Sequence, residues 1–375
     1  MQSTSRVKTM LLPLLLWLVG GCASDIPPSG GPAHIDQLQV ISSKPEPSEV
    51  NVSTRRIRLT FNHEITARQL VNAIHISPSS GEYDMNTDGK SAELNFDKPF
   101  NQNETYSIAI NKNLRDNQGR TFNSPYTMAF STGAVLDNST ISGKVINNDF
   151  SPATNALLFA FSQKEKRAEK ENLLTRMADY LVQADASGAF SFKHLAAGSY
   201  RIIAINDSNN DLRYTAGTEE TGLSSTALVQ TGSVDLLFRL SRIAKSAQPA
   251  TVTPAPSTSD TGSISGRCFA AGEEIVVEAS SATASWSTTA FRDKKGIFTY
   301  VFADLQPGIY TVSAFISSKS KRNEPKKQWN PGSIHPYQPA EPVGYYPEKV
   351  TVRPHWRTEH IDIQINKALQ PKSNL

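Results

Sequence analysis

One stretch constrains this chain more than any other, because it occurs twice. Gly188, Phe190 and Phe192 are followed by Leu195, Gly198, Tyr200 and Ala204. Gly296, Phe298 and Tyr300 are followed by Leu305, Gly308, Tyr310 and Ala314, and from Leu to Ala the spacing is identical. Such a repeat marks one supersecondary unit built twice. Its apolar residues alternate with period two, which places them on one face of a strand. Gly198 and Gly308 stand between the alternating runs, where a tight turn asks for positive φ. Each copy is therefore expected to be a β-hairpin with one buried face. None of the repeated residues offers catalytic chemistry.

The repeat extends upstream. Ile141-Ser142-Gly143 opens a region over residues 139–243, and Ile264-Ser265-Gly266 opens another over 262–367. Between them, residues 244–261 are Ala, Pro, Ser and Thr without periodicity, the composition of a linker. Inside the second region Leu173, Leu174, Met177 and Leu181 recur at helical spacing, so a short helix or an ordered loop inserted between strands is expected there. Ahead of both regions, residues 35–133 hold alternating runs at 56–61, 73–76, 92–96, 106–110 and 126–130, separated by turn residues such as Asp88-Gly89. Short strands at that spacing indicate a sandwich. His75, between Ile74 and Ile76, is expected on the solvated face. The fold class is thus all-β, with three tandem β-sandwich domains. Each is expected to fold alone, because the linkers carry little apolar pattern.

The N-terminus reads differently. Arg6 and Lys8 precede an apolar run from Met10 to Val19, which ends in Gly20-Gly21-Cys22. A bilayer span needs about 20 apolar residues, so this run is an export signal over residues 1–21. The small residues before Cys22 resemble a bacterial lipobox. That resemblance implies that Cys22 is lipidated and becomes the first mature residue. Ala23, where an Asp would retain the protein elsewhere, implies the outer membrane. Residues 22–34 are a Pro/Gly/Ser tether. The membrane becomes a partner through the acyl chains, each buried CH₂ contributing about 0.8 kcal/mol. The other cysteine, Cys268, lies in an alternating stretch and is expected to be a buried strand residue.

Two further resemblances are carried by particular residues. In residues 35–133, Val52, Ile57-x-Leu59-x-Phe61, Tyr106-x-Ile108, Asp116-x-x-Gly119 and Phe130-Ser131-Thr132-Gly133 resemble the SbsA-type bacterial Ig-like domain of surface proteins. The doubled pattern of residues 139–243 and 262–367 resembles the carboxypeptidase-regulatory-like, or transthyretin-like, β-sandwich. That family serves as a stalk or adaptor without an active site, so the resemblance implies no catalysis.

Charge and motifs narrow the function classes. The formal charge is +3, of which Arg6 and Lys8 contribute two. So even a balance argues against a nucleic-acid partner. No G-x-S-x-G, H-E-x-x-H or phosphate loop occurs in the sequence. One acidic stretch remains: Asp207, Asn209 and Asp211 alternate, and Glu219 follows at position 13. Oxygen donors in that order approach a calcium loop, although Leu212 stands where Gly is expected. The alternative is an Asx-rich turn that satisfies its own backbone. Trp329, Tyr337, Tyr345 and Tyr346 form a second candidate. They could stack on a sugar or cover the domain's own core. The expected role is a lipid-anchored envelope module, structural or binding, with an unnamed envelope protein or glycan as partner. One alternative is a glycan-binding surface lipoprotein using those aromatics. Another is an envelope hydrolase with an unrecognised carboxylate site.

Overall fold

The chain's computed structural model describes residues 36–163, 173, 177–209, 211–215, 218–242, 260–270, 274–317 and 328–365. The signal segment, Cys22, the tether and most of the linker over 244–261 lie outside the described residues.

The first sandwich runs β1 (Val40–Lys44), β2 (Arg56–Phe61), α1 (Ala67–Val71), β3 (Ile74–Ser77), β4 (Tyr83–Asp88), β5 (Ser91–Phe96), β6 (Thr105–Ile110) and β7 (Tyr126–Ser131). One sheet has the order β1-β2-β5-β4, the other β3-β6-β7. The alternation of Ile57, Leu59 and Phe61 points inward, where they meet Leu94, Tyr106, Ile108 and Phe130 in one core. The single short helix starts because the Thr66 hydroxyl accepts from the Gln69 amide while the Gln69 side chain accepts from the Thr66 amide.

The second sandwich holds β8 (Ser139–Ile146), β9 (Leu157–Ser162), β10 (Tyr180–Gln183), β11 (Ala189–Leu195), β12 (Ser199–Ile205), β13 (Thr221–Leu223), β14 (Val229–Gln230) and β15 (Leu236–Arg239). The third holds β16 (Gly262–Phe269), β17 (Ile275–Ser280), β18 (Ser285–Thr289), β19 (Phe291–Arg292), β20 (Phe298–Leu305), β21 (Gly308–Ile316), β22 (Val343–Tyr345), β23 (Val350–Val352), β24 (Arg357–Thr358) and β25 (Ile363–Gln364).

The repeated stretch is not a hairpin. β11 pairs with β8, whereas β12 pairs with β9 in the opposite sheet. In the third sandwich β20 pairs with β16 and β21 with β17. The chain therefore arches across the sandwich, and both strands feed one interior. Phe190, Phe192, Tyr200, Ile202 and Ala204 share a core, as do Phe298, Tyr300, Tyr310, Val312 and Ala314. Alternation fixes which face is buried but not which strand lies alongside. The arch is closed by its tyrosine. The Tyr200 hydroxyl donates to the Ala196 carbonyl at 2.6 Å, and the Tyr310 hydroxyl to that of Gln306 at 2.8 Å. This is the corner bond known in other sandwiches. Gly198 has φ 155°, while Gly308 lacks a positive φ.

The repeated Ile-Ser-Gly also has a cause. First and last strands pair in parallel, β8 with β15 and β16 with β25. A Cβ on Gly143 would lie 2.1 Å from the Leu236 carbonyl oxygen, and one on Gly266 would lie 2.0 Å from that of Ile361. Only glycine admits so close a backbone. Cys268 is 2% exposed on β16, and burial pushes its thiol up to about 12.

Of the short helix or ordered loop expected around residues 173–181, the described residues show no helix. Leu181 belongs to strand β10, and Met177 is exposed rather than facing a core. Leu174 lies outside the described residues. Leu181 instead joins Leu157, Phe159, Phe161, Ile203 and Ile205 on the outer face of the second sandwich. That face is covered by Ile334 and Ala340 from the third. β9 is consequently buried on both faces and reads as a continuous apolar run. The second and third sandwiches are thus not independent bodies, and residues 37–375 form one compact unit.

Candidate functional site

The acidic stretch occupies the connection between β12 and β13. Asp207 accepts from the amides of Asp211 and Leu212, both at 3.2 Å. Asn209 accepts from the Asp211 amide at 3.1 Å, and Asp211 from that of Arg213 at 2.8 Å. Leu212 itself adopts the left-handed conformation, φ 58°, that a glycine was expected to supply. Its side chain packs against the second sandwich's outer apolar face, which holds the strained turn in place. Glu219 is 4% exposed and accepts from the amides of Ser208 at 3.2 Å and Thr215 at 2.8 Å. Burial raises its carboxyl above the usual range, and the charges of Asp207 and Asp211 act in the same direction. The backbone donors oppose both effects. Among the described residues, no group of three or more His, Cys, Asp or Glu comes together to hold a metal ion. The oxygens that would ligate calcium are turned to the loop's own amides.

The third sandwich repeats one element of this loop, which the sequence reading missed. Glu341 is 7% exposed and accepts from the Asn330 amide at 2.9 Å. Both acids stand three residues before a glycine, Gly222 or Gly344, opposite Ala204 or Ala314 on the arch strand. Glu219 and Glu341 are loop anchors in equivalent places. The shared E-x-x-G was the signal that could have found them.

The four aromatics do not form an open platform. The Trp329 indole donates to the Glu341 carbonyl at 2.8 Å, and its ring packs on Val276, Phe315 and Val343. Tyr337 lies 3.3 Å from the Ser224 hydroxyl and under the Arg201 guanidinium, 4.9 Å from its ring centroid. Tyr345 meets Phe150 at 5.2 Å between centroids, and Tyr346 packs against the third core. Three of these rings therefore join the second sandwich to the third. Arg239 is the centre of that junction. Its guanidinium stands 4.2 Å from Phe150 and 4.8 Å from Trp329, and donates to the Asn148 carbonyl at 2.9 Å. Burial pulls it down to about 10, against the charge of Glu278. Burial in turn pushes Glu278 up.

The junction between the first and second sandwiches is polar. β10 lies against β3 and β6, and β11 against β6. The Gln183 side chain, 7% exposed, accepts from the Lys112 amide at 2.8 Å. His194 Nδ1 lies 3.1 Å from the Asp137 carbonyl. His75 does not reach solvent through a polar face as its alternation suggested, because the second sandwich covers that face. Its Nε2 is buried without a partner among the described residues, and burial lowers the imidazole to about 4.

With this geometry in place, comparison identifies the first region. Residues 35–132 match the bacterial Ig-like domain family. An Ig-like domain fits a structural or binding module. No curated protein matches the chain. Solved structures match weakly. The N-terminal part of the bacterial S-layer protein SbsC shares 14% identity over 54% of this chain, with TM-score 0.20. The chain covers only 44% of that structure. A fragment of native alpha-2-macroglobulin from Escherichia coli shares 12% identity, over 74% of this chain and 93% of the fragment, with TM-score 0.21. A streptococcal ancillary pilin shares 10% identity, over 76% of this chain and 80% of the pilin, with TM-score 0.16.

Proposed function

We propose that this chain is a lipid-anchored, non-catalytic module of the bacterial cell envelope, which presents a stiff β-sandwich body to an envelope partner. The observation that carries this is the use made of the chemically suggestive side chains. Trp329, Tyr337 and Arg239 lock two sandwiches together, and Glu219 and Glu341 anchor loops. Residues set aside for rigidity are not available for turnover. The Ig-like match over residues 35–132 supports the same reading. The anchor rests on the charged start, short apolar run and small residues that end at Cys22. Ala23 after Cys22 supports the outer membrane.

Fractionation tests the reading. The wild-type chain is expected in the membrane pellet after a carbonate wash, and Cys22→Ser in the soluble fraction. A Cys22→Ser protein that stays in the washed pellet sinks the anchor.

A further inference from the structure

We propose that the cleft between the first and second sandwiches binds a saccharide that carries a carboxylate. This goes beyond the envelope role and does not depend on the anchor. The cleft has a volume of about 600 Å³. Its walls are unusually rich in amides. Asn72, Asn111 and Asn113 come from the first sandwich, and Asn155 and Asn206 from the second, while Asn209 at the same wall is engaged with Asp211. Leu114 and Leu157, both buried, supply the apolar floor. A carboxamide offers two donors and an acceptor in one plane. Rows of such groups from two facing walls suit neighbouring hydroxyls, each of which both donates and accepts.

Two features sharpen the choice of ligand. Asn155 holds a left-handed backbone, φ 67°, and its Oδ1 is buried with no hydrogen-bond partner. A buried acceptor without a donor is costly, and a hydroxyl in the cleft would supply the donor. At the rim, Arg68 and Arg115 add two exposed guanidinium groups. Arginine is the side chain best matched to a carboxylate, through paired N–H donors. The one carboxylate among the lining residues, Asp207, already accepts from the amides of Asp211 and Leu212. The balance at the rim therefore favours an anion. None of the lining residues is aromatic, so recognition proceeds by hydrogen bonds rather than stacking. The saccharide expectation thus moves from the third sandwich's rings to this cleft.

Titration calorimetry of the full chain, made soluble with Cys22→Ser, tests the proposal with three probes: N-acetylmuramic acid, trigalacturonate and maltotriose. At least one acidic probe is expected to bind with a Kd on the order of 1 mM or tighter, and at least tenfold more tightly than maltotriose. Binding of N-acetylmuramic acid assigns the site to cell-wall glycan, and binding of trigalacturonate to an acidic polysaccharide. Arg68→Ala with Arg115→Ala is expected to weaken the acidic probe at least tenfold. These side chains are exposed, so thermal unfolding should not change. Asn206→Ala should weaken acidic and neutral probes alike. The proposal is overturned if neither acidic probe binds at about 10 mM. It is equally overturned if maltotriose binds as well as they do, or if the double arginine variant binds unchanged.

Discussion

The two junctions of this molecule are built on opposite principles. Between the second and third sandwiches, Leu157, Phe159, Phe161 and Ile203 meet Ile334 and Ala340 in a shared apolar layer. Between the first and second, the contacts are Gln183 on Lys112, His194 on Asp137 and the buried ring of His75. The apolar junction removes surface from water and holds by area. The polar one holds by directed bonds and leaves clefts on its flanks, one of them lined by amides. Stiffness and recognition are thereby assigned to different seams of the same chain.

Four tests probe that contrast, from the largest effect downward. Phe159→Ala removes a ring from the shared layer and is expected to lower unfolding free energy by about 4 kcal/mol in a denaturant titration. A loss under about 1 kcal/mol would mean that the layer is not a true core. Arg239→Leu strands Glu278 in a buried site and is expected to cost about 3 kcal/mol. Adding Glu278→Gln should recover part of that loss, and a double-mutant cycle without coupling would remove Arg239 from the centre of the junction.

The polar seam should instead respond to pH. The folded His75 titrates near 4, below the ordinary 6.5, because burial disfavours its charge. Its stabilising contribution is therefore complete above 6.5 and is lost as pH falls towards 4. The loss is at most about 3 kcal/mol. Stability measured across this range should slope less steeply in His75→Gln, and an unchanged slope would place the titration elsewhere. Gln183→Ala leaves the Lys112 amide without its acceptor and should cost about 1 to 2 kcal/mol. No measurable loss there would make the bond incidental.

Strand content was legible because alternation depends on one face at a time. Phe190 and Phe192, or Ile57, Leu59 and Phe61, declare their buried side without reference to a partner strand. Pairing was not legible in the same way. Nothing in Gly198-x-Tyr200 distinguishes a hairpin from an arch until the Tyr200 hydroxyl is seen closing on Ala196. His75 and Leu181 misled for a related reason, since each was judged within its own segment. Cover supplied by another sandwich does not enter a local pattern. The acidic loop left two readings open through its composition. Asp207 and Asp211 are common to ion loops and to Asx turns, and only the backbone amides they accept from separate the two. The cleft was invisible to a linear reading because its amides come from four separate connections.

The parallel pairing of first and last strands has a mechanical side. In the second sandwich the chain enters along β8 and leaves along β15, which lie side by side and run the same way. Tension applied through the two ends would pull these strands past each other along their length. Their hydrogen bonds would then share the load at once, instead of opening in succession from one end as a hairpin unzips. The third sandwich repeats the arrangement with β16 and β25. Two such clasps lie in series along the chain.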